Sequence, residues 1–290
     1  MTVLIISSTQ DQASTNIKKS LLKQSNWEEK NNFLEKPAYK NKEIKDVILV
    51  TIEDKIIIHE NIEQQVKDQL DIKPTQAIFV SKHKSKSGKP SLTTHPIGNY
   101  GEAKFGGRNK TLTPAAPRQM TELLRLIKQN NEQANLSYDV CFEVTHHGPY
   151  MSIPTMFAEV GSTKKQWIQE KPAEVIAKSL LQLLKKYHYE EETPEDIPVL
   201  IGIGGGHYAP RFTDVALNKK SAFGHMIPTY QIKQKNVDDN ILEKTIQATP
   251  NIEAAYLHRK ELKKSQITKY KKWFKKRDIP VISSKKLPEL

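Results

Sequence analysis

Apolar residues along the chain fall into short runs that alternate with stretches of helical spacing. Short apolar or β-branched runs are typical of buried strands, and they predict strands at 3–7, 47–52, 55–59, 76–81, 138–145, 155–160, 199–203, 222–227, 254–258 and 280–283. Helical spacing predicts helices after residue 13, at 62–70, from 113–114, from 172 and at about 259–277. Strands that alternate with helices indicate an α/β fold, with a mixed or largely parallel sheet flanked by helices.

The same pattern shows no internal repeat and no clean linker, so we expect one α/β domain that spans residues 1–290. Residues 82–113 are rich in glycine, serine and lysine and lack periodicity, which predicts a long basic loop. A loop of that length in a compact domain is usually either functional or disordered. Ser162 is the expected N-cap of the helix that continues from Pro172. The predicted buried stripe of that helix is Ile176, Leu180, Leu184 and Tyr187.

The formal net charge is +12, and it is concentrated in two segments. Residues 258–286 carry twelve lysine and arginine residues against two acidic residues, and residues 82–110 carry seven against one. These segments have net charges of +10 and +6, which leaves −4 on the remainder. Basic patches on an acidic remainder indicate a polyanionic partner such as nucleic acid. A set of solvated lysine faces is the alternative.

The sequence shows no membrane or secretory features. No apolar run approaches the roughly 18 residues that a membrane-spanning helix needs. The first residues, MTVLIISSTQDQ, have no basic segment before the apolar run. Cys141 is the single cysteine, so no disulfide can form within the chain. We therefore expect a cytoplasmic protein with no membrane partner.

Three glycines, Gly204, Gly205 and Gly206, follow a predicted strand and precede His207. The segment is not a dinucleotide-binding fingerprint, because His207 replaces the third glycine and Pro210 is predicted to block the required helix. It lacks the Gly-Lys-Ser/Thr of a P-loop, so we expect no nucleotide cofactor. Glycines after a strand let backbone N–H groups approach a ligand and stabilise an oxyanion. A mobile turn is the structural alternative.

Histidines beside glycine occur at or near three predicted strand ends. A catalytic zinc has three protein ligands, often imidazoles, and one open position. Adjacent residues of an extended segment point to opposite faces, so only one of His146 and His147 is expected to face the site. The spacing matches no named zinc motif, and ordinary structural histidines are the alternative. The candidate metal ligands are His146, His147, His207, His225 and Glu159.

Glu143 lies on the same face of its predicted strand as His147, and both are catalytic candidates together with His207. A histidine base or a metal ion can activate water for hydrolysis. We favour water over a covalent nucleophile, because Cys141 lies in mid-strand among apolar neighbours and is expected in the core. The chain also has no Gly-x-Ser-x-Gly motif.

The basic segments also contain aromatic residues, a combination that suits binding of a single-stranded 3′ end. Bases can stack on Tyr100 or Phe105 while cations contact phosphates; a flexible surface loop is the alternative. In the C-terminal helix the aromatic residues lie on one side and are expected to pack on the sheet, with lysines on the flanks. The candidate nucleic-acid contacts are His95, Asn99, Lys104, Phe105, Arg108, Arg211, Lys271, Lys272, Lys275 and Lys276.

Several of these motifs, in this order, resemble the archaeal- and plant-type D-aminoacyl-tRNA deacylases. The similarity spans nearly the whole chain, and the combination is specific to that family. The motifs that carry it, together with Trp167, are HPIGN at 95–99, FGG at 105–107, EVTHHGP at 143–149, EVGST at 159–163, GIGGGHYAPRFT at 202–213 and GHM at 224–226.

This resemblance implies a zinc-containing hydrolase that cleaves the ester between a D-amino acid and the terminal ribose of tRNA. It also implies a fold related to peptidyl-tRNA hydrolase and the nucleoside phosphorylases. The expected partner is tRNA carrying a D-amino acid, and we expect a monomer. A peptidyl-tRNA hydrolase-like or nucleoside-cleaving enzyme and a non-catalytic RNA-binding protein are the alternatives.

Overall fold

A computed structural model describes residues 2–186 and 197–290, which form alternating strands and helices. The strands are β1 (Val3–Ser8), β2 (Trp27–Phe33), β3 (Lys36–Asn41), β4 (Val47–Ile52), β5 (Gln76–Lys82), β6 (Ser91–His95), β7 (Gly98–Asn99), β8 (Thr111–Leu112), β9 (Asp139–Phe142), β10 (Thr155–Gly161), β11 (Val199–Ile203), β12 (Ala222–Ile227), β13 (Ile252–Leu257) and β14 (Val281–Ile282). The helices are α1 (Gln12–Gln24), α2 (Ile62–Leu70), α3 (Pro117–Gln133), α4 (Lys164–Trp167), α5 (Glu170–Lys186), α6 (Pro210–Asn218), α7 (Thr229–Lys233), α8 (Asp239–Gln247) and α9 (Lys264–Lys275). The predicted α/β class is confirmed.

The larger sheet has eight strands in the order β2-β3-β4-β1-β5-β10-β6-β9. The four central strands, β4, β1, β5 and β10, are parallel to one another. All residues of β1 and β10 are buried. That is the pattern of a parallel sheet covered on both faces. The β2–β3 hairpin and β6 add antiparallel pairs, and β9 runs parallel to β6. The sheet is therefore mixed, as predicted.

The smaller sheet has four parallel strands in the order β12-β11-β13-β14. Leu200 and Phe223 of this sheet belong to the same buried apolar cluster as Ile5 and Ile78 of the larger sheet. Helix α3 packs against β6 and β9 on one side and β12 on the other. The two sheets therefore share a core, and polar residues at their junction lie close together.

The prediction of one continuous loop at 82–113 is wrong, because β6, β7 and β8 lie within it. β6 pairs with both β10 and β9, and its five residues are buried. Its sequence, SLTTH, contains one strongly apolar residue, so hydrophobic periodicity gives no strand signal. Its β-branched threonines nevertheless suit a buried strand.

Two prolines begin helices in this structure. Pro210 is the first residue of α6, so the prediction that it blocks a helix is wrong; a first-turn residue needs no N–H partner. Pro117 likewise begins α3, and the predicted helix start at 113–114 is also wrong. Thr163, one residue after the predicted cap Ser162, accepts a hydrogen bond from the first turn of α4.

Other local predictions have mixed outcomes. The sequence pattern misses the β2–β3 hairpin because most of β2 is polar and exposed. The predicted strand at 55–59 is a short 3-10 helix, Ile56–Ile58. In α5 the stripe of Ile176, Leu180 and Leu184 is buried as predicted, whereas Tyr187 lies outside the described residues. Within 2–186 and 197–290, no helix combines the length and apolar character needed to span a membrane.

Candidate active site

The functional candidates meet where the segment after β9 passes from the larger sheet to the smaller one. The N–H of Val144 donates to the carbonyl of His207, and the N–H of Thr145 donates to the carbonyl of Met226 in β12. These bonds bring the end of β9 beside the loop that follows β11. The seven residues gathered here, called the His/Glu cluster below, are His83, His95, His146, His147, His207, Glu143 and Glu159.

Glu143 lies at the centre of the His/Glu cluster and is fully buried. Its Oε2 lies 2.7 Å from Nε2 of His207, 3.0 Å from Nδ1 of His83 and 3.5 Å from Nε2 of His146. A buried carboxylate is stable only beside groups that donate hydrogen bonds or carry positive charge, and these imidazoles are such groups for Glu143.

Three histidines of the cluster are oriented by backbone carbonyls. Nδ1 of His95 and Nδ1 of His147 each lie near the carbonyl oxygen of the following residue, at 3.1 and 2.9 Å. Nδ1 of His146 lies 2.7 Å from the carbonyl oxygen of Val144. A carbonyl only accepts, so each Nδ1 carries a hydrogen, and in the neutral form of each ring Nε2 keeps its lone pair. The ligand atoms of the three histidines lie within 4.8 Å of one another, and carbonyl-oriented histidines are typical of metal sites.

Burial and neighbouring charges set the protonation states of the cluster. Burial and nearby histidines lower the pKa of His147 to about 4 and the pKa of His146 well below its usual value. Burial opposes ionisation of Glu143, but His207 and His83 outweigh it and hold the pKa of Glu143 well below its usual value. Burial also opposes protonation of His83, but Glu143 overrides it and raises the pKa of His83 to about 10. Burial likewise opposes protonation of His95, but Glu159 and Glu143 override it and raise the pKa of His95. The cluster therefore offers two neutral imidazoles, His146 and His147, in the form that binds metals, beside an ionised carboxylate.

His83 follows β5 directly, and two neighbours fix its orientation. Its Nε2 lies 3.1 Å from the hydroxyl of Tyr208, and its carbonyl accepts a hydrogen bond from the indole N–H of Trp167 at 2.9 Å. The side chain of Asn16 in turn donates to the carbonyl of Trp167. His83 is not among the site residues predicted from the sequence. It lies beside Glu143 and Glu159 because β5 pairs with β10, a pairing that the sequence alone does not show.

The prediction that His146 and His147 point to opposite faces is wrong. Their ring centroids are 4.1 Å apart, and both side chains belong to the cluster. His147 has a left-handed backbone with φ of 44°, so the alternation of an extended strand does not apply to it. Gly148 follows without a side chain, which leaves room for close packing against Gly107.

Two of the remaining site candidates, Glu159 and His95, lie in the His/Glu cluster, whereas His225 does not. Oε2 of Glu159 lies 3.6 Å from Nε2 of His95 and 3.7 Å from Nδ1 of His83, which places Glu159 in the cluster. His95 is fully buried there, so it has no surface for the predicted contact with nucleic acid. His225 lies outside the groups within 2–186 and 197–290 that could hold a metal. Its two ring nitrogens lie within hydrogen-bonding distance of the Thr145 hydroxyl and a backbone carbonyl.

The three glycines after β11 differ in what their N–H groups contact. The N–H of Gly204 donates to the carbonyl of Ile227 at 2.8 Å, and the N–H of Gly205 donates to the hydroxyl of Thr229 at 2.7 Å. Of the three glycines, only Gly206 keeps an N–H without a partner among the described residues. The structure therefore narrows the predicted oxyanion donors to Gly206.

A pocket of about 640 Å³ opens onto the His/Glu cluster. His146, His147 and His207 form part of its lining, and residues of segments 98–105 and 230–236 complete it. The volume lies within the usual range of small-molecule pockets. The side chain of His207 is 37% exposed, so the cluster can be reached from this pocket.

Only some of the residues predicted to contact nucleic acid near this pocket have side chains that a ligand in the pocket can reach. Asn99, Lys104 and Phe105 line the pocket, and Phe105 is 68% exposed. Tyr100 is buried in the core, so of the two rings predicted to stack with a base only Phe105 is exposed. The amide of Asn99 donates to the carbonyl of Gly106, which holds the loop in place.

The predicted cationic contacts differ in how firmly they are held. Nε of Arg108 lies 3.0 Å from a carboxylate oxygen of Glu60. The guanidinium of Arg211 donates to the hydroxyls of Tyr256 and Ser284 and pairs with Asp214. The aromatic side of α9 is buried, as predicted. The four candidate lysines are all exposed on α9 or directly after it, as are Lys264 and Lys269 of the same helix. These four are Lys271, Lys272, Lys275 and Lys276.

Comparison with known proteins decides the family. A family model described as D-aminoacyl-tRNA deacylase matches residues 70–282, which include the whole His/Glu cluster and both segments that complete the pocket. This chain belongs to the D-aminoacyl-tRNA deacylase family. The predicted resemblance is thus confirmed, and the residues of the cluster are the candidate active site of a deacylase-family protein.

Curated deacylases are similar over most of their length. The D-aminoacyl-tRNA deacylase of Pyrococcus abyssi is 36% identical over 256 residues, which cover 88% of this chain and 89% of the relative. The D-aminoacyl-tRNA deacylase of Methanosarcina mazei is 35% identical over 294 residues, which cover 99% and 94%. The crystal structure of a conserved protein of unknown function has a TM-score of 0.87 at 28% identity, covering 99% of this chain and 96% of that one.

Proposed function

We propose that this chain hydrolyses the ester bond of D-aminoacyl-tRNA and releases a free D-amino acid and tRNA in the cytoplasm. The observation that carries the proposal is the His/Glu cluster, which opens into a pocket inside the segment matched by the deacylase family. A buried carboxylate beside an exposed imidazole suits activation of water. Family membership favours this reaction over a peptidyl-tRNA hydrolase, a nucleoside-cleaving enzyme or a non-catalytic RNA-binding protein.

We further propose that zinc binds to Nε2 of His95, His146 and His147. Their ligand atoms converge, and Nε2 of His95 is buried with no hydrogen-bond partner in the described ranges. Three imidazoles form a known catalytic zinc set that leaves one coordination position open. Zinc held there would supply Lewis-acid assistance to the attack of water on the ester.

In the proposed reaction, His207 acts as the base, because it is the partner of Glu143 that is exposed to the pocket. Water attacks the ester carbonyl as His207 takes its proton, and Glu143 stabilises the resulting imidazolium. The proton then passes to the ribose oxygen as the bond between that oxygen and the acyl carbon breaks. The N–H of Gly206 is positioned in the loop before His207 and is proposed to stabilise the oxyanion.

The experiment that tests this function is release of D-tyrosine from D-tyrosyl-tRNA by the purified protein. We expect release well above spontaneous hydrolysis, and we expect His207→Ala to abolish it while tRNA binding persists. A wild-type protein that binds tRNA without releasing the amino acid would identify a non-catalytic RNA-binding protein instead.

The four exposed lysines at the end of α9, at positions 271, 272, 275 and 276, are proposed to contact tRNA phosphates. Replacing all four with Gln should raise KM and leave kcat close to unchanged, because binding to substrate and transition state is weakened equally. The dependence of log affinity on log salt should flatten by roughly 0.7 to 0.9 for each lost phosphate contact. The measurement is tRNA affinity across salt concentrations for the variant in which Gln replaces Lys271, Lys272, Lys275 and Lys276.

A matched control removes the same charge from the N-terminal half. Its four replaced lysines are also exposed: Lys40, Lys42, Lys45 and Lys73. This control should keep the salt slope of the wild type. An unchanged slope in the C-terminal variant would show that its lysines are only a solvated face, and the tRNA path would then have to involve the basic segment at 82–110.

A further inference from the structure

The pocket has a second wall that the proposed chemistry does not use. This wall combines two exposed aromatic rings with several side-chain amides. Lys104, which lines the pocket beside this wall, lies 3.6 Å from Glu102. A neutral wall of rings and amides suits a nucleobase better than a phosphate group. The residues of this surface, called the aromatic–amide wall below, are Phe105, Tyr230, Gln231, Gln234 and Asn236.

Phe105 is held by its backbone while its ring remains exposed. Its carbonyl accepts a hydrogen bond from the N–H of Gly148 at 3.3 Å, directly beside the histidines of the cluster. The next residue, Gly106, packs so closely on the carbonyl of Ile57 that there is no room for a Cβ. The ring is nevertheless 68% exposed at the pocket. A flat apolar surface presented on a fixed loop is suited to stacking with a base.

The amides of the wall are arranged before any ligand binds. Nδ2 of Asn236 donates to Oε1 of Gln231 at 2.6 Å and to Oε1 of Gln234 at 3.3 Å. The N–H of Asn236 also donates to the carbonyl of Gln231, and Gly101 packs against the Asn236 amide with no room for a Cβ. The position of the Asn236 side chain is therefore fixed from both sides.

This arrangement leaves an acceptor on Asn236 and a donor on its hydrogen-bonded neighbour Gln231 unused. Oδ1 of Asn236 and Nε2 of Gln231 have no protein partner in the part of the chain that the structure describes. Adenine presents an amino group beside a ring nitrogen, so it pairs with an acceptor and a donor placed together. Guanine and hypoxanthine carry a carbonyl at that position and present the opposite pattern.

We propose that the aromatic–amide wall binds the base of the 3′-terminal adenosine of tRNA, with Phe105 stacked on the base and Gln231 and Asn236 pairing with its edge. The inference rests on the proposed function, because the ester to be cleaved is attached to the ribose of that adenosine. His207 lines the same pocket, so a base bound at this wall keeps its ribose ester within the pocket that contains the proposed base. The enzyme then selects the terminal nucleotide separately from the amino acid.

The test compares D-tyrosyl esters of adenosine and inosine as small substrates. Inosine keeps the size and stacking surface of adenosine, but it replaces the amino group by a carbonyl and places a hydrogen on N1. We expect kcat/KM to be about tenfold lower or more for the inosine ester, which is the discrimination that a paired base edge provides. Equal kcat/KM for the two esters would overturn the proposal.

Variants of the aromatic–amide wall test whether a preference for the adenosine ester comes from this surface. Gln231→Ala with Asn236→Ala should bring the ratio of adenosine to inosine kcat/KM close to one, whereas Phe105→Ala should lower both rates and keep the ratio. Gln247→Ala removes an exposed amide on the neighbouring helix and should leave both rates unchanged. Because the readout is a ratio within one preparation, partial unfolding does not alter it. If the double variant kept the wild-type preference for adenosine, the base would have to be recognised outside the aromatic–amide wall.

A binding measurement separates this inference from the proposed function. The probes are the non-hydrolysable D-tyrosyl amides of 3′-amino-3′-deoxyadenosine and of its inosine counterpart, and the readout is their ratio of dissociation constants. Tighter binding of the adenosine amide without ester cleavage would support the wall and refute the hydrolase. Cleavage of D-tyrosyl-tRNA with equal binding of the two amides would support the hydrolase and refute the wall.

Discussion

Replacing Glu143 with Gln is expected to lower kcat by about a thousandfold while tRNA binding is retained. The carboxylate is buried 2.7 Å from Nε2 of His207. Gln keeps the size of the side chain and removes the charge that would stabilise the imidazolium of His207. Glu143 does not line the pocket, so tRNA affinity should persist. The measurement is single-turnover release of D-tyrosine together with the Kd for tRNA.

A surface variant provides the control for this substitution. Glu170→Gln removes an exposed carboxylate that lies 2.9 Å from Nζ of Lys19, and it should leave kcat and Kd unchanged. Circular dichroism establishes that each variant is folded. A folded Glu143→Gln protein with wild-type kcat would remove Glu143 from the proposed reaction.

Extensive chelation is expected to lower activity by about a hundredfold or more, since Lewis-acid assistance contributes several kcal/mol to such reactions. The reason is that His95, His146 and His147 present converging lone pairs that suit zinc. Added zinc should restore the rate. The measurement pairs the rate with the metal content of the same sample by elemental analysis.

Two histidine variants separate the proposed metal site from other histidines. His147→Ala should reduce the zinc content. His59→Gln should leave it unchanged, because His59 lies apart from the cluster and pairs with Asp54. Full activity in a sample shown to be metal-free would exclude the zinc mechanism and leave His207 as an unassisted base.

The sequence predicts the parts of the fold that have strong hydrophobic patterns. β1, β5, β10 and β11 are apolar runs, and the structure has strands at those positions. The pattern fails for β6 and the β2–β3 hairpin, where polar residues form strands. It also fails at Pro210, because a proline ends a helix in one context and begins one in another.

The candidate site is predicted in its residue types but not in its geometry. Glycine and histidine at predicted strand ends point to His207 and Glu143 as candidates, and the structure places these two side chains 2.7 Å apart. The sequence could not reveal that His95 and His83 join them, because the antiparallel insertion of β6 and the ends of two parallel strands bring together segments distant in sequence. It also could not reveal that His147 has a left-handed backbone and so lies beside His146.

The most direct test of the central claim compares release of tyrosine from D-tyrosyl-tRNA and L-tyrosyl-tRNA prepared on the same tRNA. Both substrates share the ribose, the base and the phosphates, so a difference in rate reports on the amino acid alone. We expect the purified protein to release D-tyrosine far faster than L-tyrosine, and we expect Glu143→Gln to abolish the faster reaction. Equal rates for the two substrates would contradict the assignment as a D-aminoacyl-tRNA deacylase.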